Sequence, residues 1–401
     1  MSGKIAKYDG NELNYLSSVL NSMESKHDSW CQSLEIEFSK MFGAKYGVVM
    51  NSGTSTLHAA LVSLGVGYGD EVITPAMTVI MDTTTILQCN AIPVYADINP
   101  NTFLIDPEDI ERKITEKTKA IIVVSLYGLP CDMDRINEIS KKYNIPVIED
   151  HAQCFLSEYK GEIVGVSNSF SSWSFENTKH MSSGEGGILL TNNEDLAIAA
   201  RKLAGHGYTT LNASGGRIKF NSQFTVQDPD YKRHDKFGIN YRLSEFNAAI
   251  ALGQLEQLEK KEKMRVKIAN LFIKEMQKCD YLIPQKVPED RTHSYFTLGA
   301  SYEGEDKIGV DWREFRNKYV ELGGDSFYAA WSVPYLEPLM QNKEYKKIAP
   351  VYSKIDYEKG LCPVAEKTQL KMMQFKTNYR NFEEAKQKAL CLRKTINYYK
   401  G

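Results

Sequence analysis

Four short segments of the 401-residue chain carry residue types that could act on a small molecule. Asn51-Ser52-Gly53-Thr54-Ser55-Thr56 stands between an apolar run and a helical pattern. Gly53 permits close backbone approach there, and the amides of Thr54 and Ser55 would point from a helix N-terminus toward an anion. Ile148-Glu149-Asp150-His151-Ala152-Gln153 ends an apolar run in two carboxylates. At the carboxyl edge of a parallel sheet, such carboxylates lie where ligands of open α/β folds bind. Trp173-Ser174-Phe175-Glu176-Asn177-Thr178-Lys179-His180 precedes Gly184-Glu185-Gly186-Gly187 and sets a lysine between a strand and a glycine-rich turn. Desolvation would lower the pKa of Lys179 and free its neutral amine for imine chemistry. Gly238-Ile239-Asn240-Tyr241-Arg242-Leu243-Ser244-Glu245 leads into a long helical pattern. Singly, each segment has an ordinary reading as an N-cap, a surface acid, a solvated lysine or a capped loop. In this order on a parallel sheet, they supply what pyridoxal phosphate needs. A cradle holds the phosphate, an acid keeps the pyridine nitrogen protonated, and a lysine forms the imine.

Other chemistries find less support. The spaced glycines and lysine of a Walker loop are missing, and no G-x-G-x-x-G follows a strand. The seven cysteines (Cys31, Cys89, Cys131, Cys154, Cys279, Cys362, Cys391) are scattered without C-x-x-C spacing, and the seven histidines form no cluster. Reduced thiols in a cytoplasmic protein are expected, and no metal site. The 49 Lys+Arg against 51 Asp+Glu give a net charge of −2, which argues against a nucleic-acid or anionic-membrane surface. The first seven residues hold no apolar signal segment, and no apolar run approaches the roughly 20 residues of a bilayer span.

Positioning such groups falls to elements that the hydrophobic pattern lays out. Short β-branched runs (46–50, 71–73, 92–96, 120–124, 145–148) alternate with helical patterns through the first half. That alternation predicts an α/β fold, a mainly parallel sheet sandwiched by helices. Two strand-like segments, 170–175 and 187–191, follow without a helix between them, then a helix over 194–204. Residues 205–238 have no clear period, which in a compact domain marks a functional or disordered stretch. From 243 to about 278 the pattern reads as one long helix with Leu252, Leu255 and Leu258 on its apolar stripe. A strand over 293–300 and helices over 311–322 and 382–399 complete the chain. The expected division is a large cofactor-binding domain over 1–254, with an N-terminal helical segment, and a smaller α+β domain over 255–401.

As an ordered set these motifs resemble the DegT/DnrJ/EryC1/StrS sugar aminotransferases, fold type I pyridoxal-phosphate enzymes. The matching stretches are Ser52-Gly53-Thr54, Gly69-Asp70-Glu71-Val72-Ile73, Glu149-Asp150-x-Ala152-Gln153, Ser174-Phe175-x-x-x-Lys179, Gly184-Glu185-Gly186-Gly187 and Asn240-Tyr241-Arg242-Leu243-Ser244-Glu245. The resemblance runs from Gly10-Asn11-Glu12-Leu13 to the last helix. It implies that Lys179 carries the cofactor as an imine and is the catalytic base, that Asp150 pairs with the pyridine nitrogen, and that Gln153 sits near the 3′-oxygen. Gly53, Thr54, Ser55 and Ser174 would bind the phosphate. Asn240 would reach the phosphate of a neighbouring subunit, making a homodimer with shared sites. L-Glutamate is the implied amino donor. The acceptor would be a keto or aldehyde sugar, such as a nucleotide-linked keto-deoxysugar or a sugar acid, used in polysaccharide or lipopolysaccharide biosynthesis.

Some positions depart from the family pattern. Val79 stands where an aromatic usually stacks on the cofactor ring, His151 replaces a small residue, and Ser125 stands where histidine often precedes Leu-Tyr-Gly. Phe327-Tyr328-Ala329-Ala330-Trp331 is also unusual, so His180, Tyr328 and Trp331 are the residues expected to touch the substrate. Two other readings remain. One is the deoxysugar dehydratase branch, in which histidine replaces the lysine; the other is a noncatalytic, cofactor-binding regulator.

Overall fold

The structure, a computed structural model, describes residues 7–21, 29–215 and 229–400. The first six residues, read above as free of a signal segment, and residues 216–228 of the irregular stretch lie outside that description. Helices α1 (Glu12–Leu20) and α2 (Trp30–Met41) lead into β1 (Tyr46–Met50) and α3 (Gly53–Ser63). The alternation then continues through β2 (Glu71–Pro75), α4 (Ile80–Gln88), β3 (Ile92–Ala96), α5 (Pro107–Lys113), β4 (Thr118–Val124), α6 (Met133–Tyr143) and β5 (Val147–Asp150). A short hairpin of β6 (Glu158–Tyr159) and β7 (Glu162–Ile163) precedes β8 (Phe170–Ser174), β9 (Gly187–Thr191) and α7 (Glu194–Ala204).

Seven of these strands form one sheet in the order β1-β9-β8-β5-β4-β2-β3. Strands β8, β5, β4, β2 and β3 pair in parallel, and β9 runs antiparallel to both of its neighbours. Every residue of β5 and β8 is buried, as expected where helices cover both faces. Helix α6 shows the local logic. Met133, Ile136, Ile139 and Ser140 form its buried stripe, Asp132 Oδ1 caps its start by accepting from the Arg135 amide at 3.3 Å, and Asn144 ends it in the left-handed region at φ 54°. Strands β1, β8, β5, β4 and β2 all point their carboxyl ends the same way, toward the turns that hold the candidate residues.

The long helix expected over 243–278 is two helices, α8 (Glu245–Leu255) and α9 (Leu258–Met276). Their partners explain the break at Glu256 and Gln257. Ala248, Ala249, Ala251 and Leu255 pack with Phe38, Trp173 and Phe175, whereas Ile268, Phe272 and Met276 pack in a second core. An apolar stripe persists through such a change of partner, so periodicity cannot locate the bend. The second core covers an antiparallel sheet in the order β10-β11-β13-β12, formed by β10 (Leu282–Pro284), β11 (Leu298–Tyr302), β12 (Tyr328–Ala329) and β13 (Met372–Phe375).

The strand expected over 293–300 begins only at Leu298. Residues 293–297 bond crosswise instead: the Ser294 amide donates to Gly128 O and to Ser157 Oγ, each at 3.0 Å, and Tyr295 takes φ 48°. Residues 330–365 return to the first core, where Ala330, Val333, Tyr335, Cys362 and Ala365 are buried with the large sheet. The amides of Val364 and Ala365 donate to the Asp97 carboxylate at 2.9 and 2.8 Å. Side chains from both sides of residue 255 therefore share one core. All seven cysteines carry free thiols, and no helix among the described residues is long and apolar enough to cross a membrane.

Candidate active site

The candidate groups gather at the carboxyl edge of the large sheet. Lys179 follows β8 in a short turn and faces a cavity of about 290 Å³ lined in part by Thr178, Met264, Arg265, Tyr379 and Arg380. Burial pulls the Lys179 amine below the ordinary lysine range, while the charges of Asp150, Glu176 and Asp82 pull it back up. Its Nζ also lies 4.7 Å from the centre of the Phe296 ring. An amine whose pKa burial holds below the ordinary lysine range gives up its proton more readily, and in its neutral form acts as nucleophile or base.

Asp150 ends β5 and is buried. Its Oδ1 accepts the Ala152 amide at 2.8 Å. Burial raises its pKa against the opposing effects of that amide, Lys179 and His151. The adjacent acid, Glu149, is occupied elsewhere. It accepts from Ser167 N at 2.8 Å, Ser167 Oγ at 3.0 Å and Ser171 Oγ at 3.3 Å. Consecutive strand residues face opposite sides of a sheet, so only one of the pair can turn to the site. His151 lies 3.4 Å from Glu149 Oε2 and 3.0 Å from Ser125 Oγ. Burial works against its charge, but Cys154 and Glu149 outweigh it and push the imidazole up to about 10.

The anion cradle is the N-terminus of α3. Ser52 caps it, its Oγ accepting the Ser55 amide at 3.0 Å, and Ser55 Oγ donates to Asn51 Oδ1 at 2.6 Å. The Ser55 amide is therefore engaged in the cap, whereas Gly53 and Thr54 stand in the first turn, whose amides have no helical acceptor. A Cβ on Gly53 would come within 2.7 Å of Ser174 Cβ, and one on Gly187 within 2.8 Å of Ser52 O. Glycine at both positions lets the cradle close on β8 and β9. Ser174 Oγ accepts the Glu176 amide at 3.3 Å. Gln153, also buried, accepts the Tyr127 amide on Oε1 at 2.8 Å, which leaves its NH₂ as the end able to donate to a ligand.

Other predicted residues fall differently. His180 is largely buried and lines the same cavity as Lys179, with Nε2 2.9 Å from Ser294 O, and burial holds its pKa well below the usual range. Val79 is half-buried and starts α4. Asn240 is exposed, its Oδ1 accepting from Arg242 Nε at 3.1 Å. Tyr328 and Trp331 are 74% and 50% exposed at β12, on the edge of the small sheet. Among the described residues, no hydrogen bond or ring contact joins either of them to Lys179.

Two buried groups at the site escaped the sequence reading. Arg265 on α9 donates to the carbonyls of Thr178, Lys179 and Phe296. Its signal was an arginine seven residues after Leu258 on an otherwise apolar stripe. Asp82 on α4 is fully buried. Thr78 Oγ1 donates to its Oδ2 at 2.5 Å, and its Oδ1 has no hydrogen-bond partner among the described residues. Burial and the charge of Asp150 raise its pKa well above the carboxylate range.

Two buried carboxylates, a buried amine and a glycine-lined helix N-terminus fit a phosphorylated pyridine ring. The acids match a protonated ring nitrogen, the cradle matches a phosphate, and the lysine matches a carbonyl carbon.

Comparison with known proteins gives a consistent answer. Residues 7–374 match the model of the DegT/DnrJ/EryC1/StrS aminotransferase family. The chain is 35% identical over 290 residues to the GDP-perosamine synthase of Escherichia coli O157:H7, covering 72% of this chain and 74% of that one. It is 41% identical over 237 residues to the UDP-2-acetamido-2-deoxy-3-oxo-D-glucuronate aminotransferase of Pseudomonas aeruginosa, covering 59% and 60% of the two chains. An aminotransferase from Psychrobacter cryohalolentis superposes with a TM-score of 0.84 at 28% identity, over 97% of each chain.

Proposed function

The chain belongs to the DegT/DnrJ/EryC1/StrS aminotransferase family, and from that premise we propose that it moves an amino group from L-glutamate onto a keto or aldehyde carbon of a nucleotide-linked deoxysugar or related sugar acid. Its reaction class is sugar aminotransfer and its cofactor is pyridoxal 5′-phosphate. Two of its relatives are named for amino sugars on GDP and UDP carriers, which supports a nucleotide-linked acceptor.

The observation that carries the reading is the Lys179 amine, desolvated beside Asp150 at the sheet edge. When bound, pyridoxal phosphate shuttles the amino group and takes up the electron pair left as the C–H bond beside the nitrogen breaks. The chain's residues do the rest. Lys179 Nζ takes the proton from the donor carbon and returns it on the other side of the C–N unit. The Asp150 carboxylate holds a proton on the ring nitrogen. The amides of Gly53 and Thr54 and the hydroxyl of Ser174 hold the phosphate, with Ser55 fixing the turn through its bond to Ser52. The Gln153 NH₂ orients the ring, and Val79 covers one of its faces. His180, Tyr328 and Trp331 are assigned to the acceptor side. For the two exposed residues, that role requires the partner subunit's surface to complete the pocket.

Exposed Asn240 is assigned to a partner's phosphate, which makes the working unit a homodimer with shared sites. The free cysteines suit the cytoplasm, and we place the enzyme there. We divide the chain near residue 255 into a cofactor-binding domain and a smaller one, with 330–365 returning as a strap over the first.

A dehydratase would need histidine as the reacting group. The only histidine adjacent to Lys179 is buried against Ser294 O and kept neutral, which favours transamination. The test is a glutamate-coupled assay over a panel of nucleotide-linked keto sugars, reading both 2-oxoglutarate and aminated sugar. Release of water with no aminated product would overturn the reading in favour of elimination. No turnover with an unchanged cofactor spectrum would favour a regulator.

A further inference from the structure

The cavity that Lys179 faces is basic, although the chain as a whole carries a net charge of −2. Besides Lys179 and Arg265, the cations Lys7, Lys260, Lys261 and Arg380 line it, and Asp9 is the one acid among the described lining residues. Asp9 is taken by Lys260 at 3.2 Å. Lys7, Lys261 and Arg380 have no carboxylate partner among the described residues. Lys7 Nζ donates to Asn177 O at 2.8 Å, and Lys261 Nζ donates to Gln254 Oε1 at 2.6 Å and to Lys7 O at 3.2 Å. Arg380 is exposed and makes no hydrogen bond or ion pair among those residues. Lys260 and Lys261 also stand in the first turn of α9, at the positive end of the helix dipole, where acids are favoured over cations. Gathering like charges there works against folding, and a bound anion would offset the repulsion. His180 supplies a second, independent observation. It lines the same cavity, its Nε2 donates to Ser294 O at 2.9 Å, and its buried Nδ1 has no hydrogen-bond partner among the described residues. With the proton on Nε2, Nδ1 can only accept, and a ligand hydroxyl would supply the missing donor.

We propose that this cavity is the subsite for the diphosphate of a nucleotide-linked sugar, with Lys7, Lys261 and Arg380 receiving the phosphate oxygens and His180 Nδ1 accepting from a sugar hydroxyl. Several cations, two of them lysines acting as mobile point charges, suit charge spread over two phosphates, whereas a single carboxylate is met by one arginine fork. The place in the fold agrees. Lys7 is bonded to Asn177, two residues before Lys179, while Arg380 lies exposed. A diphosphate held between them sits toward the mouth of the cavity, with the sugar end directed to the Lys179 amine. The inference rests on the nucleotide-linked acceptor proposed above, and it names the residues that would select such an acceptor over an unlinked sugar.

The holoenzyme provides the test, with GDP and UDP as probes and no sugar present. Calorimetric titration should show GDP, UDP or both binding, more weakly as salt is raised. Lys261→Gln and Arg380→Gln should each weaken that binding by about tenfold. Lys263→Gln, at an exposed lysine of α9 that does not line the cavity, should change it by less than about twofold. The half-reaction with L-glutamate, followed by the bound cofactor's absorbance, separates the anions that could fill the cavity. A raised glutamate KM in the cavity variants with nucleotide affinity intact would overturn the proposal and give these cations to the donor's carboxylates. Nucleotide affinity unchanged in both variants, or no nucleotide binding to the unaltered protein, would also overturn it. In that case a normal glutamate half-reaction would leave aminotransfer itself standing. Should Lys261→Gln fail to fold, Arg380→Gln decides alone, because an exposed side chain without a partner can be replaced without disturbing the core.

Discussion

Arg265 on α9 holds the turn that carries Lys179. Its Nη2 donates to Thr178 O at 3.1 Å and Lys179 O at 3.2 Å, while its Nη1 donates to Phe296 O at 2.8 Å. The lysine belongs to the large sheet and the arginine to the second core, so the position of the Lys179 amine is set by contacts between the two parts of the chain. Burial lowers the guanidinium to about 10, still charged at neutral pH. Replacing Arg265 by methionine leaves three carbonyls without this donor and frees the turn. Turnover should fall on the order of 100-fold with a small change in KM, because misplacement by an ångström is that costly. Unfolding free energy should drop by about 2–4 kcal/mol, and Arg265→Lys should recover part of both losses. Steady-state kinetics and urea unfolding check the pair of effects.

Borohydride reduction of the holoenzyme should attach the cofactor to one peptide, the one containing Lys179, since that amine is the buried one at the sheet edge. Peptide mapping reads the site, and a label on another lysine would sink the assignment. Lys179→Ala should bind cofactor without that linkage and turn over negligibly.

Asp150→Asn and Glu149→Gln should separate cleanly. Asp150→Asn should keep cofactor and lose on the order of 100-fold in turnover, since a neutral amide cannot hold the ring nitrogen protonated. Glu149→Gln should keep the half-reaction with glutamate but lose stability, because Ser167 and Ser171 donate to that carboxylate. Stopped-flow half-reactions and thermal melts distinguish the outcomes; the reverse pattern would move the nitrogen partner to Glu149.

His151 makes stability depend on pH. Its folded pKa of about 10 lies above the ordinary 6.5, so its contribution is fully present below 6.5 and is lost as pH rises toward 10. Compared with His151→Gln, the unaltered protein should lose more stability between those two pH values. Urea midpoints measured across that window check this, and parallel curves would contradict it.

Shared sites can be detected by mixing. If Asn240 serves a partner's phosphate, Lys179→Ala and Asn240→Ala proteins are each nearly inactive. A heterodimer of the two would nevertheless contain one intact site, and refolded mixtures should recover up to about a quarter of full activity. No recovery, with dimers confirmed by ultracentrifugation, would place Asn240 in its own subunit's site or outside the chemistry.

Much of this site was legible in the residues. Strand–helix alternation dictated a parallel sheet, because buried β-branched runs separated by amphipathic helices have few other ways to cover both faces. Asp150, Lys179 and the Ser52-Gly53-Thr54 turn all fall at strand ends, and a parallel sheet collects strand ends on one edge. Local pattern was sufficient for these. Tertiary structure decided what depends on partners distant in sequence. Glu149 and Asp150 look equivalent as neighbours, and only the strand's facing, with Ser167 waiting on one side, divides them. The bend between α8 and α9 lies where an unbroken stripe passes from one core to another. Asp82, in a run of threonines, reads as an ordinary helix-start acid until the fold buries it completely, with Thr78 donating to it. Periodicity reports which face of an element is buried. What that face meets is fixed by the packing of whole elements, and the charge of a buried group is set by those neighbours.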